Sequence, residues 1–224
     1  MSPLPSLVLL CKKPALHHGK QRLASSIGAE QALVFAELFL RCALEDLEQW
    51  PGHVIISPAS QQDNLWAQSL LSRSVTIVAQ PAGNLGERIN QLDQQLRQQG
   101  HQQLIYMGSD APSLMPEHYL QAARLLIKHD IALTPAIDGG VTLMANRVPW
   151  PDMQLLPWST AQLGSALARL CQTNQLSVAQ GDVTSDVDTL IDLQQLRAKL
   201  VDDKRPARQV LAQQLISFLN HFNH

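Results

Sequence analysis

Residues 6–11 read Ser-Leu-Val-Leu-Leu-Cys, an apolar run without polar alternation. A strand with one solvated face alternates. A run that is apolar at successive positions suits a strand buried on both faces, as in parallel sheets covered by helices on each side. Comparable runs recur at 53–57 (HVIIS), 75–79 (VTIVA), 103–107 (QLIYM), 130–134 (DIALT), 141–145 (VTLMA) and 176–180. Helical patterns fall between most of them. Residues 28–49 carry a stripe through Leu33, Val34, Leu38, Phe39, Leu44 and Leu47, and 85–99 place Leu85, Ile89, Leu92 and Leu96 on one side. Further helices are predicted over 61–72, 116–128, 160–173, 190–200 and 206–220. Pro116 fits a first helical turn, where its missing N–H has no partner in any case. Strands separated by single helices, four times over, require crossover connections. The expected fold is α/β: one domain over 1–224, a mostly parallel twisted sheet with helices on both faces, and C-terminal helices at about 190–220 as an extension.

Composition narrows the function classes. Lys+Arg is 17 and Asp+Glu is 19, a net charge of −2. Gripping nucleic acid through its phosphates needs a basic excess or a strong basic patch, so nucleic acid is not an expected partner. The apolar share of 45% excludes disorder as the overall state. No apolar run reaches the roughly 18 residues of a membrane span. Lys12 and Lys13 follow the first apolar run, and Pro3 and Pro5 precede it, which is the reverse of a signal peptide. Cys11, Cys42 and Cys171 are scattered, without a C-x-x-C pair, which argues for a reducing compartment. A cytoplasmic protein is expected.

In open α/β sheets ligands bind outside the carboxyl ends of the strands, so the segments after each strand carry the functional signal. The first is Lys12-Lys13-Pro14-Ala15-Leu16-His17-His18-Gly19-Lys20-Gln21-Arg22-Leu23, read as a basic loop. Lys as a point charge and Arg as a fork are suited to phosphates. It is not a Walker A loop, since Pro14 and Gln21 occupy positions that need Gly and Ser or Thr. Gly83-Asn84-Leu85-Gly86-Glu87-Arg88 follows the third strand. Asn84 and Glu87 form a capping box, and Gly86 in the first turn points to a close approach of something to the backbone. Gly108-Ser109-Asp110-Ala111-Pro112 follows the fourth strand and puts Asp110 at the end of a central strand. A carboxylate there suits Mg²⁺ or Mn²⁺ held against a diphosphate, or else an Asx turn before Pro112. Asp138-Gly139-Gly140 reads as a hairpin turn, with substrate contact as a possible addition. Ser159 and Gln162 read as a capping box, with Trp158 before it to stack on a substrate or to pack. Thr189 with Asp192 reads as a cap, which leaves Asp188 without a structural job and open to sharing a metal with Asp110. His221 and His224 fall in a tail and carry no signal.

Taken in order, Lys12 to Leu23, Gly83 to Arg88, Gly108 to Leu114, Pro135 to Gly140, Pro157 to Thr160 and Asp186 to Leu193 resemble the motifs of a bacterial family of GT-A-like proteins, domain of unknown function 2064. Its members carry the label glycosyltransferase without established substrates. The resemblance spans residues 7–193 and implies a nucleotide-diphospho-sugar transferase fold. It implies a divalent cation on Asp110 and Asp188, and nucleotide phosphates on Lys12, Lys20 and Arg22. Gly86, Arg88 and Ser109 join the nucleotide set, and Asp138, Gly139, Gly140 and Trp158 the substrate set. The Lys-x-Arg-Leu run is also similar to that of 2-phospho-lactate guanylyltransferases. The chain departs from the pattern at Leu16, His17 and Gln21 in the first loop, and at Val141, where the family has an aromatic residue.

The expected activity is metal-dependent transfer of a sugar from a nucleotide-diphospho-sugar to a small acceptor. Two alternatives stand: a nucleotidyltransferase using a nucleoside triphosphate, and a nucleotide-binding protein without catalysis, the last motivated by His17 and Val141. No motif identifies a general base, the nucleobase, the sugar, the acceptor or an oligomeric state.

Overall fold

The structure is a computed structural model and describes residues 4–222, so Pro3 and His224 lie outside the described residues. Seven strands form one sheet: β1 (Ser6–Cys11), β2 (Val54–Pro58), β3 (Thr76–Ile77), β4 (Leu104–Met107), β5 (Ile131–Pro135), β6 (Val141–Asn146) and β7 (Val178–Gln180). Their spatial order is β3-β2-β1-β4-β6-β5-β7, which puts β4 in the middle. β1 pairs in parallel with β2 and β4, and β5 in parallel with β7. β6 is the exception and runs antiparallel to both β4 and β5.

The apolar runs are explained by helices on both faces. Leu7, Leu9, Val54, Ile56, Ile105 and Met107 point to one side, against Leu40, Ala43 and Leu47 of α2 (Ala29–Gln49) and Tyr119 and Ala122 of α5 (Pro116–Leu125). Val8, Ile55, Leu104, Tyr106 and Met144 point to the other, against Ile89, Leu92 and Leu96 of α4 (Leu85–Gln98) and Leu167 and Cys171 of α6 (Leu163–Thr173). A further layer covers the outside of α2. Phe35, Phe39 and Cys42 pack there against Leu193 and Leu196 of α7 (Leu190–Lys199) and Leu211 and Leu215 of α8 (Pro206–Phe222). Each fully buried Leu or Ile in these layers is worth roughly 1.5–3 kcal/mol in area removed from water. Cys11, Cys42 and Cys171 are buried and free. Among the described residues, no helix is long and apolar enough to cross a membrane.

Several expected boundaries move, each for a local reason. The expected loop 12–23 ends early, because α1 (Gln21–Ile27) begins inside it. The helix expected from residue 28 is preceded by this extra one, and Gly28 at φ +84° makes the corner between the two. The helix expected over 61–72 is a 3-10 turn, Gln61–Asp63, followed by α3 (Asn64–Gln68). It stops where the Ser69 hydroxyl donates to the Trp66 carbonyl at 2.8 Å. The strand expected over 75–79 is shorter, although Val78 and Gln80 still donate to the carbonyls of Ile56 and Pro58.

Candidate functional site

Because six of the seven strands share a direction, the segments after β1, β3, β4 and β7 gather at one edge of the sheet, and the turn between β5 and β6 joins them. A cleft of about 640 Å³ opens there. Lys12, Lys20, Arg22, Arg88, Ser109, Asp110, Asp138, Gly140, Trp158 and Asp188 all line it.

The segment after β1 is tightly wound. His18 N donates to the Ala15 carbonyl at 3.1 Å, closing a turn. His17, Gly19 and Lys20 all adopt positive φ, at 63°, 76° and 47°. Only Gly takes that conformation at no steric cost. His17, at the position where the resembled family has Gly, therefore adopts the backbone shape a Gly would, with its side chain exposed. Lys20 is the N-cap residue of α1 and makes no side-chain cap. Its ammonium turns into the cleft instead. Arg22 was expected on a loop and stands in the first turn of α1.

The carboxylates come from two loops that the backbone ties together, since Val187 N donates to the Asp110 carbonyl at 2.9 Å. Asp188 directly precedes Thr189, which forms with Asp192 the capping box of α7. Lys20 Nζ lies 2.9 Å from Asp188 Oδ1 and 3.4 Å from Asp110 Oδ2, and donates to the Val187 carbonyl at 2.6 Å. Arg22 adds a 3.0 Å contact to Asp188 Oδ2. The expectation that Asp188 lacks a structural job is thus corrected: it anchors two cations of the first loop and helix. Burial acts to lower the pKa of Lys20, but the charges of Asp110 and Asp188 outweigh it and hold the ammonium more firmly protonated than usual. Asp186 was not singled out in the sequence, yet it lines the same cleft. Burial, then the charges of Asp110, Asp138 and Asp188, push its carboxyl up to about 6.

Two glycines expected to meet a ligand are packed against the protein's own chain on the side a Cβ would take. Gly86 does not line the cleft. A Cβ there would sit 2.1 Å from the Met153 carbonyl oxygen, so the close approach its sequence position announced is that of the protein's own chain. Gly139, at φ +90°, is likewise pressed against backbone, with the Ala161 carbonyl 2.0 Å from where its Cβ would be. Asp138 makes the expected turn by accepting from Gly140 N at 2.9 Å. Trp158 packs against the core and donates from Nε1 to the Met153 carbonyl at 3.1 Å while facing the cleft. The capping box expected at Ser159 and Gln162 is absent. Ser159 sits at φ 63° and Gln162 is itself the N-cap residue of α6. Gln80, which no motif marks, also lines the cleft, its Nε2 held on the Ser57 carbonyl at 2.9 Å.

Among the described residues, no group of three or more His, Cys, Asp or Glu is arranged to hold a metal unaided. Mg²⁺ is commonly held by one or two carboxylates with substrate phosphates and waters completing the shell. Asp110 and Asp188, already close enough to share one ammonium, fit a cation that arrives with a phosphorylated ligand.

Comparison with known proteins bears on fold and family. A protein from Desulfovibrio desulfuricans, provisionally described as a nucleotide-diphospho-sugar transferase, is 22% identical with a TM-score of 0.86, over 97% of each chain. The 4-diphosphocytidyl-2C-methyl-D-erythritol synthase of Anaerococcus prevotii is 12% identical with a TM-score of 0.56, over 88% of this chain and 96% of its own. A CMP:2-keto-3-deoxy-manno-octonic acid synthetase complexed with CTP is 13% identical with a TM-score of 0.53, over 87% and 97%. No curated protein matches. These likenesses establish the nucleotide-diphospho-sugar transferase fold. A family model, described as an uncharacterised protein conserved in bacteria (DUF2064), matches residues 40–160, more than half of the 224 residues, and the chain belongs to that family.

Proposed function

We propose that this protein is a nucleotide-dependent transferase that requires Mg²⁺ or Mn²⁺ and passes a sugar from a nucleotide-diphospho-sugar to a small acceptor. The observation that carries this reading is the meeting of Lys20 with Asp110 and Asp188 in one cleft at the carboxyl edge of the sheet. Glycosyl transfer leaves a diphosphate on which charge develops, and groups placed to meet that charge supply most of the rate. Lys12, Lys20 and Arg22 are cations at the cleft and suit the phosphate oxygens. Asp110 and Asp188 supply the anionic oxygens for a divalent cation, which when bound neutralises the leaving diphosphate. Trp158 and Val141 form an apolar wall on the β6 side that orients a sugar or acceptor ring and excludes water. The 22% identical transferase with the same fold throughout its length supports this assignment.

Nucleotidyl transfer from a nucleoside triphosphate is the second reading. It is favoured by the fold shared with the two synthases and by the cationic run ending in Arg22. Thermal shift with nucleotide sugars and nucleoside triphosphates, each with and without Mn²⁺, followed by product analysis, separates the readings. Release of a nucleoside diphosphate supports sugar transfer. Pyrophosphate release supports nucleotidyl transfer. Binding without turnover of any donor supports a nucleotide-binding protein without catalysis. No stabilisation by any nucleotide overturns all three.

A further inference from the structure

We propose that Lys20 is a latch: in the free protein it is the counter-ion of the Asp110–Asp188 pair, a divalent cation must displace it, and once displaced it holds the donor's phosphate. This rests on the metal-dependent reading above and adds an order of events to it.

Three observations carry the inference. The ammonium takes one oxygen of each carboxylate and the Val187 carbonyl, at 3.4, 2.9 and 2.6 Å. Those three oxygens belong to the two loops that would hold a cation, so a cation and this ammonium compete for one place. The Lys20 side chain is 13% exposed, whereas that of Arg22, its neighbour on the same carboxylate, is 60% exposed. Lys20 is thus inserted into the cleft and Arg22 reaches in from outside. Finally, Lys20 holds a left-handed backbone at φ 47°, directly after Gly19 at 76°. A non-Gly residue persists in such a conformation only where its surroundings over-determine it; here Ala24 N donates to the Lys20 carbonyl at 2.8 Å and the carboxylates grip the ammonium. Displacement frees a flexible cation beside the incoming phosphate. A resident ammonium also keeps two facing carboxylates from repelling each other in the free protein. A bound cation does the same, so the cleft is neutralised in either state.

The test measures Mn²⁺ binding to the full chain without nucleotide, by calorimetry, for wild type, Lys20→Met, Lys20→Arg and Lys13→Met. Lys13 is an exposed cation of the same segment. Removing a charge within about 4 Å of the incoming ion is expected to tighten Mn²⁺ binding by roughly tenfold or more in Lys20→Met. Lys20→Arg keeps the wild-type affinity, and Lys13→Met changes little. With Mn²⁺ saturating, Lys20→Met is expected to bind inorganic pyrophosphate more weakly than wild type does. Hydrogen exchange of wild type gives a reading that needs no variant to fold: Mn²⁺ is expected to accelerate exchange of the backbone amides around residues 17–21.

Equal or weaker Mn²⁺ affinity in Lys20→Met overturns the latch while leaving the metal reading in place. Unchanged exchange around residues 17–21 in Mn²⁺-saturated wild type does the same. Unaltered pyrophosphate affinity in Lys20→Met overturns the transfer of Lys20 to phosphate. Failure of both wild type and Lys20→Met to bind Mn²⁺, with or without pyrophosphate, overturns the metal-dependent reading itself and the latch with it.

Discussion

The guanidinium of Arg208, on α8, donates from Nε to the carbonyl of Pro112 at 3.2 Å, two residues beyond Asp110. Arg208 is fully buried, and its remaining nitrogens reach Glu45 at 2.9 Å, Asp46 at 2.6 Å and the Cys42 carbonyl, all on α2. The C-terminal helix is therefore joined to the loop that presents Asp110, and the same guanidinium ties both to α2.

Arg208→Met is expected to destabilise the protein by about 3–5 kcal/mol, because it leaves Asp46 buried without its main partner. Arg205 still contacts Asp46 Oδ1 at 3.0 Å and keeps the loss from being larger. Urea unfolding followed by circular dichroism measures it. A loss below about 1 kcal/mol would show that the network adjusts around the gap.

Asp188→Asn is expected to abolish the dependence of nucleotide binding on Mn²⁺. Asp110→Asn should act in the same direction, with the double variant little worse than the poorer single one, since both groups would serve one ion. Unlike a pair of unpartnered carboxylates, these two are bridged by Lys20, so removing one charge does not relieve repulsion in the free protein. Asp188→Asn should lower stability by no more than about 1 kcal/mol, its ion pairs being partly solvated. Calorimetric titration with and without Mn²⁺ checks the first statement and thermal unfolding the second.

Gly86→Ala is expected to cost about 1–3 kcal/mol of stability, through collision with the Met153 carbonyl, and to leave the nucleotide affinity of the folded fraction unchanged. A variant of wild-type stability with impaired nucleotide binding would place a ligand, in place of Met153, against this glycine.

Asp130 supplies the pH dependence. It accepts from the Ser177 hydroxyl at 2.6 Å and the Ser177 amide at 2.9 Å, and from Arg147 at 3.0 Å, joining the start of β5 to the segments beside β6 and β7. The Ser177 hydrogen bonds, and then Arg147, hold its carboxyl down to about 2. A carboxyl with a lower pKa folded than unfolded stabilises above its unfolded value, near 4, and loses that contribution as pH falls through 2. Asp130→Asn should therefore be less stable at pH 7, by on the order of 1 kcal/mol given its solvent access, with the difference closing between pH 4 and 2. Unfolding midpoints of both proteins across that range check the sign.

The sheet was legible because burial on both faces leaves no polar alternation, so β1, β2 and β4 stand out as continuous apolar runs. α1 was not. Helix starts are read from a capping side chain, and here the N-cap residue is Lys20, whose side chain is used in the cleft. Ser159 failed in the opposite way, carrying the right residue type in a left-handed conformation that cannot cap. Asp110 and Asp188 were legible as candidates because one follows a strand and the other precedes a helix. Their sharing of Lys20 across 90 and 168 residues of sequence is tertiary and leaves no local mark. Gly86 was marked correctly as a place of close approach, but a glycine does not say whether a ligand or its own chain comes near.

The reversed direction of β6 has a further consequence. In a wholly parallel sheet, each wall of the ligand edge belongs to a crossover, and altering it disturbs the helix that follows. Here the wall at Asp138 and Gly140 is a short hairpin turn whose two arms are fixed by their own ladder. That corner is keyed at Gly139, whose backbone is pressed against Ala161, so changes fall on its other positions while the crossovers beside it keep their register. One side of the cleft is thus set by a hairpin with its own ladder, separate in the chain from the strand-end segments that carry Lys20, Asp110 and Asp188.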